Sequence, residues 1–494
     1  MIDDLILTIV PMHILFIATG NRTMKIIEQI YVDGAFVAPH GDERFALFNP
    51  ATEEEIGEVR LGDNRDAHAA IAAAKRAFPA MRQTTPAERI AMLQTLAKAV
   101  AANADALRAA MTIEYGAPQS FLAFSVPHAA NVFDVAARTV ADYAFTRRIG
   151  NAEVVMEPVG VAAAITPWNS NIGFICTKLA TAIAAGTTIV IKPSEMSAIQ
   201  TQVLLEVLHE ARLPDGVLNV VNGYGHVVGA ELSRHPDIAK ITFTGSTTTG
   251  REILRNAAES FKRVTLELGG KGPQILLDDA DLDRAIPHVL ASAFRNSGQA
   301  CIAGTRLLVP KRRHTEVISR LAHAVSALRP GPSSDPASDI GPMVSARQWE
   351  RVQAYIRLGQ EEGATLLVGG EGRPEGLQRG WFVRPTVFSG VTNDMRIARE
   401  EVFGPVLSVL SYETEAEAIA IANDTEYGLQ SYVLGTDAER MRSIARQLEA
   451  GRVVINETPA DAQAPFGGFK QSGIGREFGP FGLDAFLEPK AIIG

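Results

Sequence analysis

Val161-Ala162-Ala163-Ala164-Ile165-Thr166-Pro167-Trp168-Asn169 is a short apolar run that stops at a proline, and a helical stretch over Gly173–Ala185 follows it. The same texture repeats downstream. β-type runs begin near Thr188 (TIVI), Val217 (VLNVV), Lys240 (KITF) and Val264 (VTLEL), with a second helical stretch over Thr201–Ala211. Strands recurring at this interval with helices between them indicate βαβ crossovers and a parallel sheet. Such a sheet binds ligands at the carboxyl ends of its strands, so the residues just after each run are the ones to inspect. A second α/β pattern begins near Gly272, with PQILL, TRLLV and VVIN as its strands. Upstream, residues 30–60 read as short strands broken by the turns Asp33-Gly34 and Asn49-Pro50. Thr85-Pro86-Ala87-Glu88 is a capping box with proline at the first helical position. Ile90, Leu93, Leu96, Ala97 and Val100 follow at helical spacing.

The whole chain has 494 residues, 46% apolar and 21% charged, with a formal net charge of −9. That length exceeds the ~100–200 residues of one domain. The composition excludes wholesale disorder and a small disulfide scaffold. The acidic balance argues against nucleic-acid binding, which needs a cationic face. Cys176 and Cys301 are the only cysteines. They have no metal-ligand spacing around them, so no metal is expected and a cytoplasmic location fits. Leu5 to Ala18 is nearly all apolar but too short to span a bilayer, which takes about 20 residues. It also lacks the positive start of a secretory signal, since Asp3 and Asp4 precede it. Residues 1–23 are therefore expected to be a non-native or disordered extension ahead of Met24, and no membrane partner is expected.

The ends of the runs carry the chemistry. Gly223-Tyr224-Gly225-His226-Val227-Val228-Gly229 follows a strand but misses the dinucleotide-binding glycine spacing by one residue. Phe243-Thr244-Gly245-Ser246 leads from a strand into a helix, where backbone N–H groups bind phosphate or simply receive an N-cap. Pro167-Trp168-Asn169, Leu266-Glu267-Leu268-Gly269-Gly270-Lys271 and Phe294-Arg295-Asn296-Ser297-Gly298-Gln299-Ala300-Cys301 complete the set. A thiolate adds to a carbonyl carbon and leaves an oxyanion, which an Asn amide and a backbone N–H stabilise. A carboxylate then activates water. Cys176 reads as a small packed hydrophobe.

PWN, IKPSE, FTGS, ELGGK, GQAC, EEVFGPV and PFGGFKQSG occur in this order over about 300 residues. Together they resemble the aldehyde dehydrogenase superfamily, and the resemblance runs from about Ile30 to Lys490. It implies Cys301 as nucleophile, Asn169 as oxyanion donor with the Cys301 N–H, and Glu267 as general base. Lys178, in the helix after PWN, is implied to support the active site. The implied cofactor is NAD, with NADP less favoured. Lys192 and Glu195 would bind the adenosine ribose, and Gly245 and Ser246 the pyrophosphate with Gly225 nearby. Trp168 would contact the cofactor through its backbone. Glu401 would hold the nicotinamide ribose, with Phe403 beside it.

The implied fold is α/β: a Rossmann-type cofactor domain, an α/β catalytic domain and a small β oligomerisation segment. Residues 24–143 and 158–268 would form the first, 269–462 the second, and 144–157 with 463–494 the third. Residues 147–152 would be the turn of a strand pair whose open edge invites a homodimer or homotetramer. The implied reaction is NAD-dependent oxidation of an aldehyde to a carboxylic acid through a Cys301 thiohemiacetal. The alternatives are a semialdehyde dehydrogenase like those acting on succinate semialdehyde, a CoA-acylating relative and a catalytically silent one. The first alternative rests on Arg295, six positions before Cys301, where the resemblance places a substrate-carboxylate ligand. The second Arg of those enzymes is replaced by Thr177. The competing reading pairs Arg295 with a neighbouring Asp or Glu.

Overall fold

A computed structural model describes residues 14–19, 22–459 and 461–494, with side chains described from Met24 onward. The five runs form parallel strands at Val161–Ile165, Ile189–Lys192, Leu218–Val220, Ile238–Thr244 and Arg263–Glu267. The Val161–Ile165 strand lies centrally, between Ile189–Lys192 and Ile238–Thr244. The strand order therefore reverses there, and the crevice of such a sheet opens at that point, just beyond Ile165.

This strand is alanine-rich because it is covered on both faces. Ala162 and Ala164 join the core shared with Ile172, Ile175 and Leu179 of the Asn171–Ala185 helix. Val161, Ala163 and Ile165 join the opposite core with Ala67, Ala70 and Ala74 of the Asn64–Arg82 helix. Alternate residues thus serve opposite layers, and their methyl side chains let both helices sit close to the sheet. Enlarging Ala163 to Leu would overpack this layer at about 1–3 kcal/mol. Thr85 caps the Pro86–Ala102 helix with Glu88 reaching back, as the capping box predicts, and Leu93, Leu96, Ala97 and Val100 face the core.

Antiparallel strands extend the sheet at both edges: Ile30–Val32 with Ala35–Val37 at one, Gly473–Ile474 at the other. The last pairs with Arg263–Glu267, so residues expected to serve only the C-terminal segment also brace the cofactor sheet. A second sheet runs in the order Thr365–Val368, Thr386–Ser389, Val406–Tyr412, Arg306–Pro310, Pro273–Leu276, Gln430–Leu434 and Arg452–Ile455. All its neighbours are parallel except the first pair. The chain passes from the end of the first sheet at Glu267 to the start of the second at Pro273 through five residues. The carboxyl ends of one sheet therefore meet the amino ends of the other at this crossing.

Thr146–Ile149, Ala152–Pro158 and Leu487–Ile493 form a separate antiparallel sheet. The turn expected over 147–152 is narrower. Only Gly150 and Asn151 turn, while Arg147–Ile149 and Ala152 are in strands, because a two-residue loop suffices to join antiparallel strands. Thr146–Ile149 is fully exposed along its length. Within the segment expected to stand outside the fold, Ile14–Thr19 is a strand paired antiparallel with Arg22–Ile27, and residues 1–13 lie outside the described residues. No helix among the described residues is long and apolar enough to cross a membrane.

Candidate active site at the crossing of the two sheets

Asn169, Lys192, Gly245 and Glu267 lie at or just past the carboxyl ends of four strands of the first sheet. Cys301 and Glu401 precede the Arg306 and Val406 strands of the second. The Cys301 segment is shaped by a left-handed run, Asn296, Ser297 and Gly298 at φ 53°, 59° and 75°. A side chain at Gly298 would strike the Gly404 carbonyl. Asn tolerates this conformation and Ser carries strain of order 1 kcal/mol. Hydrogen bonds hold the turn in place. Asn296 Nδ2 donates to Tyr115 Oη, to the Asn169 carbonyl at 3.2 Å and to the Gln299 carbonyl at 3.1 Å. The Gly341 N–H donates to Ser297 Oγ at 2.8 Å. Asn169 Nδ2 donates to the Gln299 carbonyl at 3.0 Å, which brings the expected oxyanion donor to the Cys301 loop.

Cys301 is partly exposed. Its thiol pKa is pushed up to about 12 by burial, with Glu401 and Glu267 adding, while the N–H groups of Cys301 and Ile302 pull it down. The resting thiol therefore carries its proton and needs a base. Glu267 is 2% exposed, and among the described residues neither carboxylate oxygen has a hydrogen-bond partner. Burial raises its pKa well above the usual range, and Glu477 raises it further. Lys178, Arg476 and Arg452 oppose that shift. An unpartnered, proton-seeking carboxylate within electrostatic reach of a protonated thiol can act as a general base.

Lys178 is 2% exposed. Its Nζ donates to Thr242 Oγ1 at 2.8 Å and Thr244 Oγ1 at 3.0 Å, and it forms an ion pair with Glu477. Lys178 thus bonds to Thr244, the strand neighbour of Glu267, and Glu477 is its ion-pair partner. Sequence reading missed Glu477 because it lies 299 positions from Lys178 and no motif spacing links them.

Cys176 is fully buried, and burial raises its thiol pKa, in keeping with a packed hydrophobe. Arg295 forms no ion pair among the described residues; its guanidinium lies 4.7 Å from the Phe124 ring centre. The expected pairing with a neighbouring acid does not form, because the side chain turns onto an aromatic face instead. Thr177 donates to the Gly173 carbonyl within its own helix at 2.8 Å.

The residues expected to hold a dinucleotide have the following surroundings. Lys192 Nζ donates to Glu195 Oε2 at 3.0 Å, and Oε1 takes no part in that bond. Ser246 caps the Thr247–Ala258 helix, and the Gly245 N–H donates to the Glu267 carbonyl at 3.0 Å. Gly225 is exposed at the start of a one-turn helix, with open space where a side chain would project. Trp168 packs edge-on against Phe403, their ring centres 5.5 Å apart. Glu401 Oε1 accepts the Gly270 N–H at 2.9 Å, and burial raises its pKa to about 7. A side chain at Gly270 would meet the Cys301 carbonyl oxygen at 2.3 Å, so glycine there lets the crossover touch the nucleophile loop.

Comparison with known proteins agrees with this geometry. The model of the aldehyde dehydrogenase family matches residues 36–492. A Staphylococcus aureus (strain MSSA476) relative named as an aldehyde dehydrogenase is 44% identical over 466 residues, 94% of this chain and 98% of its own. One similar solved structure is a cysteine-to-alanine mutant of aldehyde dehydrogenase C from Pseudomonas syringae, complexed with NAD+ and octanal. It has a TM-score of 0.93 and 44% identity, covering 94% of this chain and 96% of that one. Aldehyde dehydrogenase from Mycobacterium tuberculosis complexed with NAD+ superposes with a TM-score of 0.92 at 41% identity, covering 95% and 98%. A family model matched over residues 36–492 and relatives 41–44% identical over nearly the whole length show that the chain belongs to the aldehyde dehydrogenase family.

Proposed function

We propose that this chain oxidises an aldehyde to a carboxylic acid by covalent catalysis at Cys301, with NAD as cofactor and water as the final acyl acceptor. The observation that carries this reading is Glu267, a buried carboxylate with both oxygens unpartnered. Glu267 takes the Cys301 proton, and Sγ attacks the aldehyde carbon. The oxyanion formed accepts from Asn169 Nδ2 and the Cys301 N–H. When bound, NAD supplies the hydride acceptor that leaves an acyl thioester on Cys301. Glu267 releases that proton to solvent and, as carboxylate again, deprotonates a water, which attacks the thioester carbon. The Cys301 thiolate leaves and the acid is released. Lys178 and Glu477 position Glu267 and set its charge.

Trp168, Lys192, Glu195, Gly225, Gly245, Ser246, Glu401 and Phe403 are assigned to cofactor binding. Glu195 favours NAD, because a 2′-phosphate there would face its charge. A water-activating carboxylate argues against CoA as acceptor, and the joint presence of Cys301, Glu267 and Asn169 argues against a silent relative. We assign residues 24–143 and 158–268 to cofactor binding, 269–462 to catalysis, and 144–157 with 463–494 to oligomer contacts in a cytosolic homodimer or homotetramer. The exposed Thr146–Ile149 edge supports the last assignment. A second reading, a semialdehyde dehydrogenase, is favoured by the unpaired Arg295.

Glu267→Gln tests the hydrolytic route. The expected result is slowed single-turnover NADH formation, because the Cys301 proton loses its acceptor, and a steady rate at least tenfold below the parent. A parent-like steady rate would overturn the role of Glu267.

A further inference from the structure

We propose that His68, Glu231 and His235 form a binding site for one zinc-like transition-metal ion, which clamps the Asn64–Arg82 helix to the segment following Gly225. The site lies on the cofactor sheet, away from Cys301, and the inference does not depend on aldehyde oxidation. No sequence spacing signals it, since His68 and Glu231 stand 163 positions apart.

The three side chains converge from two elements. Ala230–Arg234 is a short helix, and the His235 N–H closes it by donating to the Glu231 carbonyl at 2.9 Å. Residues four apart across one turn share a face, so Glu231 and His235 lie on the same side of it. Leu232 of this turn is buried in the same core as Ala67, Ala70 and Ile71 of the longer helix, which fixes how the two elements sit. His68 stands on the outer flank of that core. Its Nε2 bonds Glu231 Oε1 at 2.8 Å, and its ring centre lies 5.2 Å from that of His235. One ligand atom from each of the three residues lies within 4.8 Å of the other two.

The donor set selects the ion. Two imidazole nitrogens and one carboxylate oxygen suit zinc and its neighbours, whereas magnesium and calcium take oxygen ligands. Around a tetrahedral zinc ion with bonds of about 2.0–2.1 Å, ligand atoms sit roughly 3.4 Å apart. Rotation of His68, whose side chain is exposed, closes the set to that spacing. At His68 the ion replaces the hydrogen between Nε2 and Glu231, and the proton passes to Nδ1. At His235 it costs one long hydrogen bond, from the Asp237 N–H to Nδ1 at 3.2 Å, whichever nitrogen binds. A cavity of about 410 Å³ beside both imidazoles, walled by Ile71 and Ala72, leaves room for water ligands. The cations around it are engaged. Lys75 pairs with Asp237 at 2.6 Å and Arg76 with Asp33 at 2.8 Å. Lys262 Nζ donates to the His235 carbonyl and to Ser260 Oγ, both at 2.6 Å. The bound ion ties together two elements remote in sequence and braces the one-turn helix Gly225–Gly229, which runs directly into Ala230–Arg234.

The test is isothermal titration of the whole chain with zinc chloride, followed by thermal unfolding with and without zinc. The parent should take up one ion at this site with a micromolar Kd. Zinc at about a hundred times Kd should raise Tm by about 2–3 °C. His68→Ala and His235→Ala should each weaken uptake about tenfold or more and lose the shift. An exposed pair contributes little to stability, so His68→Ala without zinc should melt within about 1 °C of the parent, which separates lost binding from lost folding. Cys301→Ala should bind zinc as the parent does, because the thiol is not a ligand. No uptake by the parent overturns the proposal. Parental affinity in either histidine variant, or loss of uptake in Cys301→Ala, overturns it too. None of these readouts needs turnover, so a failure of the oxidation reading leaves them intact.

Discussion

Replacing Lys178 by Met removes one member of a buried ion pair and leaves the other in place. Lys178 fills three acceptors: Thr242, Thr244 and the Glu477 carboxylate. Without it, Glu477 keeps one side-chain donor, Thr242 Oγ1 at 3.3 Å. Stranding a buried charge in this way costs about 3–5 kcal/mol. At about 2.1 cal/mol/K per residue, 494 residues unfolding as one unit absorb roughly 1 kcal/mol per degree. The expected fall in Tm is therefore about 3–5 °C by differential scanning calorimetry. The same change alters catalysis with a definite sign. Lys178 is the largest charge that holds the Glu267 pKa down. Without it, Glu267 keeps its proton to higher pH, so the rising limb of kcat/KM moves upward. Lys178→Met/Glu477→Gln removes both the stranded carboxylate and its upward push on Glu267, and should recover most of the Tm and return the limb toward the parent. A single variant with a parent-like Tm and an unmoved limb would refute the reasoning.

Cys301→Ala should abolish NADH formation, leaving under a hundredth of parental turnover, while dinucleotide affinity by fluorescence titration changes less than twofold. Glu195→Gln should narrow the preference for NAD over NADP by about tenfold in kcat/KM, because the charge facing a 2′-phosphate is gone; an unchanged ratio would remove Glu195 from the ribose site.

The order of elements is a local property, and the sequence alone determined it. Strand runs spaced by helices imposed the parallel sheet, since a βαβ crossover leaves few other packings. Cys301, Glu267 and Asn169 were singled out by the resemblance that seven ordered motifs carry, each motif being a short local stretch. The turn at Gly150-Asn151 is narrower than expected, because pairing with a partner strand sets an element's ends more than composition does. What only the tertiary structure decided is the charge state of the site. Glu477, Arg452 and Arg476 come from remote parts of the chain and act on Glu267 only after the Gly473–Ile474 strand docks on Arg263–Glu267 and the Arg452 strand closes the second sheet. Desolvation and Coulomb interaction depend on distance in space rather than along the chain. The raised pKa of Glu267 therefore arises only when the two sheets meet.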